Sequence, residues 1–207
     1  MKKILAIDFN GALLKHRPFQ NAHVKWFDLM SKLLKDPSIK KYAGLNNYFD
    51  KVHSVMKQYL GKVDHETRVK FARTIYAMVI IADVSKKDVV TEFANYLKKI
   101  KTKYTLALIT TAPSDAVEPI LEKLGLLSLF KIIYKSPMTK HPDKKQLFKE
   151  FIKKYSKPIY YIGNGDKDIE SCKKAGIKAI SVKWVSKGKF KGDFDVNSVK
   201  ELKKIIK

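Results

Sequence analysis

Four stretches of this chain place together side chains able to attack or hold a charged oxygen: Asp8 with Asn10, Thr110 with Thr111, the lysines between Lys140 and Lys145, and Asn164 with Asp166 and Asp168. Phosphoryl transfer through an aspartyl phosphate needs these residue types. A carboxylate attacks phosphorus in line, a hydroxyl and an ammonium hold the phosphoryl oxygens, and carboxylates hold a Mg²⁺ that offsets the donor's charge. Oxygen ligands of mixed type suit Mg²⁺, which keeps several waters. Asp8 reads as a nucleophile or a metal ligand. Gly11 lets the chain fold back, and Asn10 stands where a second carboxylate would be most useful. Each residue also has a plainer reading. Asp8 can cap a turn, Thr110 and Thr111 can be β-branched packing at a strand end, Asp168 can cap the following helix, and any of the lysines can be a solvated residue at a helix start.

The elements that must position these groups follow from apolar patterning. Ile4-Leu-Ala-Ile7 is a continuous apolar run of the kind buried on both faces of a parallel sheet. It ends at Asp8, and in open α/β sheets reactive groups gather at the carboxyl ends of strands. From 18 to 84 the pattern is helical. Trp26, Leu29, Met30 and Leu33 are expected on one face, Tyr48, Val52, Val55, Met56 and Tyr59 on another, and Val69, Phe71, Ile75 and Met78 on a third helix capped by Asp64. Ser85 and Asp88 read as a capping box that opens the next helix. Strands are then expected at 104–110, 130–134, 158–162 and 179–182, separated by helices at 116–124, 146–155 and 168–175, with a closing helix at 198–206. Strand–helix alternation with a helical insertion after the first strand predicts an α/β fold: a Rossmann-like, doubly wound parallel sheet (1–17 and 85–207) with an inserted helical cap (18–84).

At 207 residues and 45% hydrophobic content, the chain is long enough to bury one good core. No apolar stretch approaches the roughly 20 residues of a membrane span, and Met-Lys-Lys before a strand is not a signal peptide, so a cytoplasmic protein is expected. The single Cys172 excludes an internal disulfide and reads as a packing residue. The charge is unusual: 43 Lys and Arg against 20 Asp and Glu, a net of +23. Such a field draws anions and, on charge alone, admits nucleic acid as a partner. The alternative is lysines on solvated faces through compositional bias.

The stretch Asp8-Phe-Asn-Gly11-Ala-Leu resembles the first motif of the haloacid dehalogenase-like (HAD) phosphohydrolases, Asp-x-Asp-Gly-Thr-Leu. Leu-Ala-Leu-Ile-Thr110 resembles the second motif, and Gly163-Asn164-Gly-Asp-Lys-Asp168 the fourth. The run around Leu-Phe130-Lys-Ile-Ile is similar to the usual connector before the third. The resemblance spans nearly the whole chain, and a helical insertion stands where members carry a C1-type cap. It implies Asp8 as nucleophile and the main-chain carbonyl of Asn10 as a Mg²⁺ ligand. It further implies Thr110 and a lysine on the phosphate, and Asn164 and Asp168 on the metal side. Lys140 fits one spacing of the family lysine, Lys144 another, and Lys145 comes third.

Two positions depart from the family pattern. Asn10 stands where these phosphatases carry the general acid/base, and an amide does not exchange protons at neutral pH. Asn164 stands where a metal-binding carboxylate is usual; its oxygen can coordinate but brings no charge, and Asp166 or Asp168 is the available compensation. The leading expectation is a Mg²⁺-dependent phosphohydrolase with attenuated acid/base catalysis, acting on a small phosphorylated substrate. The alternative is an inactive HAD-like protein that binds phosphate ligands or nucleic acid through its basic surface. Two further accounts rank below these: deamidation at the Asn-Gly pairs 10–11 and 164–165, and an engineered inactive form.

Overall fold

The computed structural model describes residues 2–45, 47–189 and 191–206. Its centre is a six-stranded, all-parallel sheet in the order β3-β2-β1-β4-β5-β6. The strands are β1 (Ile4–Ile7), β2 (Thr105–Pro113), β3 (Ile132–Ser136), β4 (Tyr160–Gly163), β5 (Ala179–Val182) and β6 (Phe194–Val196). β1 pairs with β2 from Ile4↔Thr105 to Ile7↔Leu108, and with β4 from Leu5↔Tyr160 to Ile7↔Ile162. It is therefore the central strand, and the chain reverses its winding beside it, between β1 and β4. Ligands of doubly wound sheets bind at such a switch point, and the residues after β1 and β4 are Asp8 and Asn164.

Alternation along the strands divides the core into two layers. Leu5, Ile7, Leu106 and Leu108 face one layer with Phe93 and Leu97 of α4 (Thr91–Ile100) and Val117 and Ile120 of α5 (Ser114–Lys123). Ile4, Ala6, Ala107 and Ile109 face the other. They meet Phe148 and Phe151 of α6 (Lys144–Lys154) and Ile169 and Cys172 of α7 (Asp166–Lys174). Cys172 is a buried free thiol packed among apolar side chains, in keeping with the expected packing role.

Between β1 and α4 lie α1 (Arg17–Leu33), a 3₁₀ turn (Pro37–Tyr42), α2 (Tyr48–Tyr59) and α3 (His65–Asp83). They have a small core of their own around Trp26, Phe27, Met30, Val52, Val55, Met56 and Ala72. Trp26 is fully buried because Ala72 leaves room for it, and its indole N–H donates to the Ala72 carbonyl at 3.0 Å. Most of the expected faces are buried, with Trp26 and Met30 of α1, Tyr48, Val52, Val55 and Met56 of α2, and Val69 and Ile75 of α3 inside, but four of the expected positions are not. Leu29 and Leu33 of α1 are exposed, as are Phe71 and Met78 of α3, while Ala72, Arg73 and Ala77 are inside. Asp64 caps α3 as expected, accepting from the Thr67 amide at 2.9 Å.

The capping box at Ser85 and Asp88 opens a short 3₁₀ turn (Lys86–Asp88) rather than α4, which starts only at Thr91. The Asp88 carboxylate is also engaged elsewhere. It receives a two-pronged contact from Arg17 (Nε 2.7 Å, Nη2 2.6 Å), whose Nη1 reaches Asp83 at 3.0 Å. Hydrogen bonding from Arg17 holds the Asp88 carboxyl down at about 2. One guanidinium thus fastens the strand of chain entering the helical insertion to the strand leaving it. The sixth strand, β6, was not anticipated. It is a three-residue edge strand reached through a lysine-rich loop, without an apolar run to announce it. Among the described residues no helix is long and apolar enough to cross a membrane.

Candidate active site

Asp8 directly continues β1, its amide still bonded to the Ile162 carbonyl at 2.9 Å, so sheet pairing fixes the carboxylate's position. The chain then turns sharply. Gly11 has φ +85°, and a Cβ there would lie 2.4 Å from Cε1 of His16. Only glycine meets both demands.

The ammonium of Lys144, the first residue of α6, completes the centre of the site. Its Nζ donates to Asp8 Oδ1 at 2.6 Å and to the Ile109 carbonyl at 2.7 Å, and lies 3.3 Å from Asp168 Oδ2. Asp143 caps α6 by accepting from the Gln146 amide, which sets the helix start so that Lys144 points inward. Of the three candidate lysines, only Lys144 is buried. Lys140 and Lys145 are exposed. The solvated helix-start reading fits them and fails for Lys144.

Burial drives the electrostatics. It pushes the Asp8 carboxyl up to about 6, against the pull of Lys144 and with the help of the neighbouring Asp168 charge. Burial also works against the Lys144 ammonium, but Asp168 and Asp8 outweigh it and its pKa is raised. Two carboxylates thus share one ammonium, leaving Asp8 short of positive charge.

Thr110 is buried at the end of the regular part of β2, where the pairing with β3 shifts register between Thr110 and Pro113. Its Oγ1 accepts from the Ala112 amide at 3.0 Å, and both Thr110 and Thr111 line the cavity. Asn10 and Asn164 are joined by a residue that the motifs did not mark, His16. Its Nδ1 lies 2.8 Å from Asn10 Oδ1, and its Nε2 lies 3.2 Å from Asn164 Oδ1 and 3.0 Å from Ser186 Oγ. With its oxygen engaged by His16, the Asn10 amide has its NH₂ group left for another partner. Asn164 is buried and wired as a donor, giving Nδ2 hydrogen bonds to the carbonyls of Val182 and Ser186, both at 2.7 Å. Asp168 does not cap α7. That helix begins two residues earlier, at Asp166, with Gly165 at the cap, and the Asp168 carboxylate instead accepts from the Tyr161 hydroxyl at 3.2 Å. Asp166 also lines the cavity.

Asp8, Asn10, His16, Thr110, Thr111, Asp166 and Asp168 form the floor of a cavity of about 430 Å³ whose roof comes from α1, α2 and α3, and Lys144 meets that floor through its contact with Asp8. Most of the roof is aromatic. His23 is stacked on Tyr48, with ring centroids 4.0 Å apart, and burial pushes its pKa down to about 4, so the ring is neutral. Among the other lining residues, Val52, Ala72 and Arg73, the charged one is Arg73, which is 7% exposed. Its Nη2 donates to the carbonyls of Thr111 (3.2 Å) and Ser136 (3.4 Å), and its buried Nε has no hydrogen-bond partner. The sequence did carry a faint signal for it, one arginine within the buried stripe Val69, Ala72, Arg73, Tyr76. His16 and Ser186 have no such mark.

Fold and site together define a doubly wound α/β protein that gathers two carboxylates and a lysine at its switch point beneath a helical insertion. The description Haloacid dehalogenase-like hydrolase matches residues 21–182, and the chain belongs to that family. The matched span contains Thr110, Lys144, Asn164 and Asp168. Asp8 and Asn10 precede it and are tied to it by the sheet. No curated protein sequence matches the chain. Among solved structures, the chain is similar to a predicted phosphatase from Clostridium acetobutylicum (TM-score 0.71, 18% identity, covering 100% of this chain and 98% of that one). It is also similar to a CbbY mutant from Rhodobacter sphaeroides in complex with xylulose-(1,5)bisphosphate (0.68, 14%, 98% and 96%). A third is YfnB from Bacillus subtilis bound to magnesium (0.64, 18%, 99% and 98%). At these identities the likeness shows the fold. Family and relatives together support reading the chain as a hydrolase of the phosphatase type.

Proposed function

We propose that this protein is a Mg²⁺-dependent phosphohydrolase that acts through an aspartyl phosphate on Asp8, with 18–84 serving as a cap over the core formed by 1–17 and 85–207. The observation that carries the reading is the buried Asp8 carboxylate, placed on the cavity floor and 2.6 Å from the Lys144 ammonium. An Asp8 oxygen attacks phosphorus, and the bond from phosphorus to the ester oxygen breaks. The leaving alkoxide takes its proton from water, because the Asn10 amide has none to give. Lys144 and the Thr110 hydroxyl hold the phosphoryl oxygens, and the free NH₂ of Asn10 faces the departing group as a donor. Water then hydrolyses the acyl phosphate and regenerates Asp8.

The donor set fits Mg²⁺. Asp8, the Asn10 carbonyl, the Asn164 amide oxygen and Asp168 are all hard oxygen ligands, and Asp8 is a buried carboxylate under-compensated by one shared lysine. When bound, the cation would offset the charge of the phosphoryl group. The net charge of +23 steers anionic substrates toward the cavity. The test is direct trapping. Incubation with a ³²P-labelled phosphate-ester panel and Mg²⁺, followed by acid quench, should leave acid-stable, hydroxylamine-labile label on Asp8. No label and no phosphate release across the panel would sink the reading.

Arg73 narrows the substrate. A buried guanidinium facing a cavity with only carbonyl partners suits a second anionic group on the phosphate ester, and the relative captured with a bisphosphate is consistent with that. A hydrogen bond to a charged group contributes about 1.5–3 kcal/mol, or roughly 10–100-fold in affinity. Arg73→Met is expected to raise KM by that factor for esters carrying a second anion and to leave kcat and simple esters little changed. Steady-state kinetics on a matched pair of esters checks it.

A further inference from the structure

Three of the five histidines converge outside the site described above. His53 lies on α2, His65 is the first residue of α3, and His141 sits in the loop between β3 and α6, three residues before Lys144. Their ring centroids are 5.6 Å (His53–His65), 6.1 Å (His53–His141) and 5.2 Å (His65–His141) apart. One ring nitrogen from each can be chosen so that all three lie within 4.8 Å of one another. Among the described residues, none of these nitrogens is hydrogen-bonded to another protein group.

The pKa of His141 is lowered by burial and by the neighbouring His65 and His53. His53 and His141 line a small pocket together with Val52, Met56, Val69, Pro142 and the side chains of Arg68 and Arg73, and Val52 and Pro142 also line the catalytic cavity. Two of the rings therefore belong to the helical insertion and the third to the loop that delivers Lys144.

We propose that His53, His65 and His141 form a three-imidazole site for a borderline divalent metal of the Zn²⁺ type, which clips α2 and α3 to the loop before α6 and holds the cavity roof against its floor. Imidazole selects such ions over Mg²⁺, which prefers oxygen. With Zn–N bonds of about 2.0–2.1 Å, the ligand nitrogens of a tetrahedral site lie about 3.4 Å apart. The rings must close from separations of up to 4.8 Å. His65 and His141 are exposed and His53 half-buried, so side-chain rotation supplies that closure. The fourth position is left for water.

The test uses full-length, tag-free protein stripped of metal and titrated with Co²⁺ and Zn²⁺ in excess Mg²⁺, followed by visible absorption and calorimetry. One equivalent should bind. His65→Ala and His141→Ala should each weaken it at least tenfold, and Asp8→Asn should leave it unchanged. Zn²⁺ should also slow hydrogen exchange in α2 and in 137–143 of the parent protein, but not of the variants. Both variants alter exposed side chains, so the fold is preserved. No binding, binding unaffected by either histidine change, displacement by Mg²⁺, or binding without protection would each overturn the proposal. None of these readouts requires phosphatase activity, so failure of the clip and failure of the hydrolase reading are distinguished.

Discussion

Asn10→Asp is expected to raise kcat/KM for a simple phosphate monoester with Mg²⁺ by about 10²–10⁴-fold, the usual worth of general acid–base help. The side chain is already placed for the role. Its oxygen is held by His16 Nδ1 at 2.8 Å, and a carboxylate can accept the same hydrogen bond. The other oxygen would stand where the amide NH₂ now faces the cavity, able to protonate the leaving alkoxide and then to deprotonate the attacking water. Asn164 is a different case. Its NH₂ donates to two carbonyls, so Asn164→Asp would set a carboxylate oxygen against both. That substitution is expected to destabilise the protein by about 1–3 kcal/mol in urea melts. The two asparagines that depart from the family pattern are thus unequal. One is exchangeable with aspartate and the other is built into the fold as an amide. An unchanged rate in Asn10→Asp would show that proton transfer to the leaving group does not limit this protein.

This distinction also marks where sequence reading stops. The central strands were legible because each is a continuous apolar run interrupted by a polar residue. The site groups that end those runs, Asp8, Thr110 and Asn164, were legible with them, because a parallel sheet delivers its strand ends to one edge. Lys144 was harder to separate from Lys140, because the choice depends on where α6 begins, and a single cap at Asp143 decides that. His16, Ser186 and Arg73 reach the site from crossovers. Nothing local marks His16 and Ser186, Arg73 shows only as an arginine within an apolar stripe, and tertiary packing determines where all three point. The helical insertion was legible as helices and in most of its buried positions, Trp26, Met30, Val52, Val55, Met56, Val69 and Ile75 among them, but not in all. Phe71 and Met78 look like core by size, yet the fit of Trp26 against Ala72 turns them outward. The edge strand β6 and the three converging histidines share the same cause, since partners distant in sequence define them.

Lys144→Met is expected to lower kcat by about 10³-fold or more, and the reason lies in what the lysine holds apart. It is the one ammonium between two carboxylates, 2.6 Å from Asp8 and 3.3 Å from Asp168. Loss of a preorganised donor to the phosphoryl group costs about 10²–10³. A second loss adds to it. Burial and Asp168 already raise the Asp8 carboxyl to about 6 against the pull of Lys144. Without that pull it rises further, and at neutral pH the nucleophile is largely protonated. The acid limb of the kcat/KM profile should therefore move to higher pH in the variant, a shift that a simple packing defect would not produce. Stability gives an independent check through its sign. A carboxyl whose folded pKa lies above its unfolded value of about 3.9 costs stability as pH rises toward the folded pKa, because the unfolded chain ionises first. The variant, with the Asp8 carboxylate buried, Asp168 half-buried beside it and the Lys144 ammonium gone, should lose more stability between pH 5 and pH 8 than the parent. At the alkaline end the deficit approaches the roughly 3–5 kcal/mol of a broken buried ion pair. If the two proteins lose stability in parallel over that range and share one acid limb, Lys144 does not hold the Asp8 carboxylate ionised, and the nucleophile assignment would fall with it.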